Sequence, residues 1–217
     1  APHGPLHAPE KYLDMYKDQN INLAAFFGMI TNVDDNVGAT RDLLRELGVY
    51  EDTIFIFTTD NGTAGGARVF NAGMRGQKGS EYDGGHRVPL FLHWPAGGMG
   101  EKKVVDRLVH AVDIVPTLLD LCGASKPADL KFDGKSIRPL LTGDGADWPD
   151  RFMVTDSQRV VDPIKWRKSA VMSEEWRLVN GKELYRIDED PGQKNDVAAE
   201  HPEQVAKMTE FYDAWWA

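Results

Sequence analysis

Residues 53–59, Thr-Ile-Phe-Ile-Phe-Thr-Thr, form an unbroken run of β-branched and aromatic side chains that stops at Asp60-Asn61-Gly62. With no charge before Asp60, the run reads as a strand buried on both faces, the pattern of a parallel sheet. A glycine-rich stretch from Gly62 to Gly85 follows and holds eight of the 21 glycines. A loop of that length inside a compact domain usually serves function rather than connection. "VPLFLHWP" supplies the next strand. Upstream, Leu23, Phe26, Phe27, Ile30, Val33, Val37, Leu44 and Leu47 recur in helical steps, so one long amphipathic helix is expected over 22–47, with Gly48 as its stop. Downstream, Asp113 to Leu121 reads as a short helix with Pro116 in its first turn and Gly123 past its end. Helix, strand, loop, strand, helix is α/β order.

The two ends have different textures. The first sixteen residues carry three prolines and predict an extended, irregular segment. After residue 148, "RFMVTDS", "KSAVMSE", "WRLVN" and "KELYRI" are four short strand-like runs, as in a small antiparallel sheet. A closing helix is expected with Val205, Met208, Phe211 and Trp215 on one face. These shifts divide the chain into 1–148 and 149–217.

A net charge of −9 over 217 residues argues against a nucleic-acid partner, yet leaves room for an anionic ligand in one locally basic pocket. The apolar runs are too short to cross a bilayer, so no membrane association is expected. The single cysteine, Cys122, excludes an internal disulfide and reads as a buried structural thiol. The six tryptophans are expected to be core or interface residues. The opening Ala1-Pro2-His3-Gly4-Pro5 has neither an initiator methionine nor a leader-like stretch, which suggests a piece of a longer protein.

Two groups of residues could carry chemistry. Asp60 and Asn61 stand at a strand's carboxyl end, where open α/β sheets bind ligands. Their hard oxygens suit Ca²⁺, or alternatively Mg²⁺; the competing reading is an ordinary Asp-Asn-Gly turn. In the loop, Arg75, Lys78, His86 and Arg87 face only Glu81 and Asp83, a local positive patch suited to an oxyanion; the competing reading is a solvated loop. Asp34 and Asp35 point about 100° apart on a helix and are expected on its solvated side.

"IFTTDNG" followed by "MRGQKGSEYDGGHRVPLFLHWP" resembles the second signature region of the type I sulfatases, in the alkaline-phosphatase-like superfamily. "APHGPLHAPEKY", "MITNVDDNVGATRDLLRELGVYEDT", "HAVDIVPTLLDLCGA", "FDGKSIRPLLTG" and "WRLVNGKELYRIDEDPGQKNDVAAEHPE" are similar to further segments of that family, in the same order. The resemblance implies part of an alkaline-phosphatase-like α/β sandwich with a small carboxy-terminal antiparallel sheet and terminal helix. It implies Asp60 and Asn61 as ligands of a divalent cation, usually calcium. Lys78 would bind the sulfate and the ester oxygen, and His3 would contact the sulfate and help protonate the leaving alcohol. His86 receives no role.

The family's nucleophile is a formylglycine made from Cys or Ser in a Cys/Ser-x-Pro/Ala-x-Arg motif, which the 217 residues lack. That motif and an early Asp-Asp pair of metal ligands are expected upstream of Ala1. The expectation is therefore a sulfuric ester hydrolase acting on a sulfated small molecule or glycan, present as a carboxy-terminal part and inactive alone. It would be completed by its upstream segment or by self-association, and exported to a periplasm or the cell exterior. Two rivals stand beside it: a phosphodiester or phosphonate hydrolase of the same superfamily, and a non-catalytic module binding sulfated glycans through its tryptophans.

Overall fold

The computed structural model describes residues 2–143, 145 and 148–217. Ala1 and residues 144, 146 and 147, inside the stretch where the sequence changes texture, lie outside the described residues. The opening segment is less extended than its prolines suggest. Past Pro9 nothing breaks a helix, and α1 (Glu10–Leu13) runs into a 3-10 turn over Asp14–Tyr16. Both pack on α2 (Ile21–Glu46), which Asn20 caps by accepting the Leu23 N–H at 3.0 Å. Gly28 makes this packing possible, since a Cβ there would stand 3.1 Å from the Ala8 Cβ. Along α2 the buried residues are Ala24, Ala25, Phe26 and Gly28, while Ile30 and Leu43, and Leu47 just past its end, are exposed. The apolar stripe is therefore real but covered only in its first turns. Asp34 and Asp35 are exposed as expected, and Asp35 accepts a hydrogen bond from the Tyr12 hydroxyl.

Strand β1 (Phe55–Thr58), the single turn α3 (Asp83–His86) and β2 (Leu90–His93) follow. β1 and β2 form a two-stranded antiparallel sheet with Phe55 opposite His93 and Thr58 opposite Leu90. This corrects the expected parallel, doubly buried strand: Phe55, Ile56 and Phe57 are only half-buried. An apolar run does not encode strand direction. The glycine stretch folds back on itself and returns β2 beside the end of β1, so the pair runs antiparallel. Helices α4 (Ile114–Leu121) and α5 (Arg138–Thr142) complete the first part. Cys122, beyond α4, is exposed rather than buried, because one helical step past the buried Leu121 turns it away from the core.

The carboxy-terminal sheet is a meander of β3 (Met153–Asp156), β4 (Ser169–Met172), β5 (Trp176–Val179) and β6 (Glu183–Arg186), every neighbour antiparallel. Period-two alternation gives it two working faces. Val171, Leu178 and Leu184 pack against Met208 and Tyr212 of α6 (Pro202–Trp216). On that helix the buried residues are Met208 and Tyr212, with half-buried Trp216 continuing their line; Trp215, expected on this face, is 50% exposed. The opposite sheet face carries Ala170, Val179 and Tyr185, which pack with Tyr82 of the glycine stretch.

Arg177, on that second face, crosses to Asp83 with Nε 2.9 Å from Oδ1, and both side chains are buried. Gln193 accepts the Asp83 N–H at 2.8 Å, so side chain and backbone of Asp83 are both held from the sheet. A buried pair is costly to break, because the partner left behind keeps its desolvation cost. Arg177→Met is expected to lower the unfolding free energy in urea by about 3–5 kcal/mol, and adding Asp83→Asn should restore much of the loss.

Candidate functional site

The turn after β1 is built by close backbone crossings. The Gly62 N–H donates to the Gly85 carbonyl at 2.9 Å. A Cβ at Gly62 would lie 1.9 Å from the Gly84 oxygen, and one at Gly85 would lie 2.0 Å from the Ser80 oxygen. No side chain fits at either crossing, which explains glycine there. One residue past Gly62, Thr63 accepts the Lys78 N–H at 3.1 Å. The strand end bearing Asp60 and Asn61 and the segment bearing Lys78 are thus joined through backbone. Asp60 is exposed and Asn61 half-buried.

Asp60 opens, with His86 and Arg87, into a cleft of about 1720 Å³; Lys78 opens into a separate groove of about 480 Å³. His3 is exposed, keeps its Nδ1 2.8 Å from the Gly4 oxygen, and lines neither concavity. Asp60 and Asn61 have the donor chemistry of a calcium site but would supply only two of about six to eight oxygens. Among the described residues there is no cluster of three or more His, Cys, Asp or Glu able to complete a metal site.

The expected positive patch resolves differently. The Arg75 guanidinium stacks 3.8 Å over the Tyr82 ring and donates to the Tyr185 and Tyr82 hydroxyls and to the Gln193 carbonyl. Glu183 accepts from both tyrosines, at 2.8 and 2.5 Å. Burial, reinforced by that carboxylate, pushes Tyr82 up to about 12 and raises Tyr185 as well. Arg87 lies 3.9 Å from Asp83. Burial pushes His86 below its ordinary value, against the opposing pull of Asp83, so its ring is neutral at pH 7. Of the four cations, Lys78 alone keeps no acidic partner within 4.0 Å among the described residues.

Its groove is lined otherwise by Ala64, Gly79, Ser157, Gln158, Arg159, Arg167 and Lys168. These last three cations escaped the sequence reading, although "QRVVDPIKWRK" is a locally basic connection between two strand-like runs. The tryptophans behave largely as expected. Trp148 is buried, four are half-buried and Trp215 is exposed.

Two family models match this chain: Sulfatase, over residues 1–124, and N-sulphoglucosamine sulphohydrolase, C-terminal, over residues 77–211. The chain belongs to the sulfatase family. Arylsulfatase J of Mus musculus is 30% identical over 206 residues, 85% of this chain and 33% of that protein. The crystal structure of Ps i-CgsB superposes with a TM-score of 0.85 at 27% identity, covering 99% of this chain and 48% of the other; the same protein is also known in complex with k-i-k-neocarrahexaose. The phosphonate monoester hydrolase of Agrobacterium radiobacter superposes with a TM-score of 0.62 at 26% identity, over 88% of this chain and 42% of the other. The chain spans about a fifth to two-fifths of the length of the curated relatives it matches. The sandwich fold expected for this family is thereby established as an α/β architecture. No helix among the described residues is long and apolar enough to cross a membrane.

Two outcomes follow from the crossing and the buried ring. Gly62→Ala should lower stability by about 1–3 kcal/mol in urea, since a methyl group meets rigid backbone. His86 titrates lower in the folded chain than unfolded, so its contribution is full above its ordinary value of 6.5 and is lost as pH falls below it. Thermal midpoints should therefore decline between pH 7 and pH 5, and the decline should be shallower in His86→Asn.

Proposed function

We propose that the whole protein hydrolyses a sulfate ester, and that this chain supplies the lysine and part of the cation site. The observation that carries this reading is the backbone bond from Lys78 to Thr63, which ties an ammonium with no acidic partner among the described residues to the turn holding Asp60 and Asn61. In this reading the ammonium neutralises charge developing on the sulfuryl oxygens, and positioned donors of that kind are among the largest contributors to catalysis. Asp60 and Asn61 would hold calcium, or magnesium in its place, which would polarise the same oxygens. His3 is assigned to contact the sulfate and assist the departing alcohol. The nucleophile, a formylglycine, is assigned to a part of the protein outside these 217 residues, as is the remainder of the cation's ligands.

The uncovered surfaces support a missing partner segment. The second half of α2 exposes Leu43, with Leu47 exposed just past its end, β2 exposes Phe91, and the large cleft opens beside the end of β1. Upstream chain of the same protein is the proposed cover, with self-association as the alternative when it is lacking. Export from the cytoplasm, to a periplasm or beyond, belongs to the same proposal. The substrate is proposed to be a sulfated saccharide, in line with the hexasaccharide complex of Ps i-CgsB. The likeness to a phosphonate monoester hydrolase keeps phosphonate and phosphate diesters as the competing substrates.

The test compares this chain with a longer form that carries a Cys/Ser-x-Pro/Ala-x-Arg motif upstream. The chain alone should turn over neither nitrophenyl sulfate nor a nitrophenyl phosphonate, and should self-associate or bind a hydrophobic dye. The longer form should cleave the sulfate, and Lys78→Ala in it should cost about 10²–10³ in kcat. Preference for the phosphonate, or full activity without Lys78, would sink the sulfatase reading.

A further inference from the structure

The groove beside Lys78 carries charge in a way the rest of this chain does not. Its lining contains Lys78, Arg159, Arg167 and Lys168 and no carboxylate, in a chain whose net charge is −9. Among the described residues none of these four forms an ion pair, whereas the neighbouring Lys165 reaches Asp213 at 2.8 Å. The nearby Asp156 is turned to Gln158, accepting from its backbone N–H at 2.9 Å and from its side-chain amide at 2.7 Å. Like charges left together without counter-ions repel one another, and a ligand that brings anions relieves that cost.

The segment presenting these cations is also pre-shaped. Trp166 and Lys168, either side of Arg167, adopt left-handed backbone at φ 64° and 51°. For residues other than glycine this costs about 1–2 kcal/mol each, so the surroundings must enforce it. They do: the Trp166 ring stacks on Tyr212 with centroids 3.7 Å apart, and the Trp166 backbone N–H donates to the Tyr212 hydroxyl at 3.0 Å. The Lys168 carbonyl accepts from the Ser157 N–H at 2.9 Å. Gln158 clamps the middle of the segment through two bonds to the Ile164 backbone. Held strain of this kind clusters at ligand clamps. The Ser157 hydroxyl bonds the Ser80 carbonyl at 3.2 Å, fixing this wall to the loop that bears Lys78.

We propose that Arg159, Arg167 and Lys168 bind a second anionic group, sulfate or carboxylate, of a multiply charged saccharide whose first sulfate is held by Lys78. Guanidinium forks pair with planar carboxylate or with two oxygens of a sulfate, which selects an oxyanion rather than a neutral sugar hydroxyl. A volume of about 480 Å³ falls in the ordinary range for a small-ligand site. The proposal rests on the reading of Lys78 given above, and its test separates the two.

Calorimetric titration of this chain at low ionic strength with a monosulfated and a trisulfated form of one disaccharide reads the effect directly. The trisulfated form should bind at least about tenfold more tightly, as one further charge-assisted contact provides. Arg159→Gln with Arg167→Gln should abolish that advantage, with the monosulfated affinity falling far less than the trisulfated and the thermal midpoint no lower. Lys168→Asn is the second variant, because asparagine accepts the left-handed backbone at that position. An advantage that is absent, or that survives in both variants, overturns the proposal. So does equally tight binding of an oligonucleotide of matching charge. Lys78→Ala judges the other reading: unchanged affinity for the monosulfated sugar refutes Lys78 as the sulfate ligand, while the groove is still judged by the lost advantage.

Discussion

Everything around the candidate site hangs on the buried pair of Asp83 and Arg177. The glycine stretch between β1 and β2 has few apolar side chains to hold it down, and its polar backbone must be satisfied from somewhere. Asp83 meets that need from both sides, giving its carboxylate to Arg177 and its N–H to Gln193. Once this one turn is fixed to the sheet, the Gly62–Gly85 bond fixes the end of β1 to it, and Thr63 fixes Lys78. Without Arg177 the carboxylate would be buried and uncompensated, and the loop would be expected to leave the sheet before paying that cost.

The carboxy-terminal sheet is therefore a support as well as a small core of its own. One face is apolar and takes α6, burying Val171, Leu178, Leu184, Met208 and Tyr212. The other is mixed, with Arg177, Glu183 and Tyr185 reaching into the glycine stretch. The same tyrosine that anchors α6 to the sheet, Tyr212, also stacks on Trp166 and so holds the basic segment of the groove. Core packing and the placement of charge share one residue, which makes the groove a product of folding rather than a flexible surface decoration.

Much of this was legible in the sequence. The steps of three and four in α2, the four short runs of the meander, the closing helix, and the glycine stretch after β1 all come from neighbours within a few residues, where periodicity and turn chemistry operate. Helix faces are readable to within one step; periodicity puts Trp215 and Cys122 each about 100° from where they sit, because an apolar or sulfur side chain next to the buried line satisfies the same pattern. Family membership was legible too, since ordered segments along nearly the whole chain carry it. Arg159, Arg167 and Lys168 were not singled out, because they sit far in sequence from the lysine whose groove they line.

The sequence by itself determined the elements, their order and the oxygen donors at the end of β1, for these depend on local spacing and side-chain type. Only the tertiary structure decided the antiparallel direction of β1 against β2, and which charges remain free. Arg75, Arg87 and His86 looked like ligand-binding cations until folding brought Glu183 and Asp83 beside them and buried the histidine. Among the described residues Lys78 meets no acidic partner, and it gains three cationic neighbours from the far side of the chain. Charge neutralisation acts through space over a few ångströms, and the Arg177–Asp83 contact spans 94 positions of sequence, a separation that no local pattern encodes.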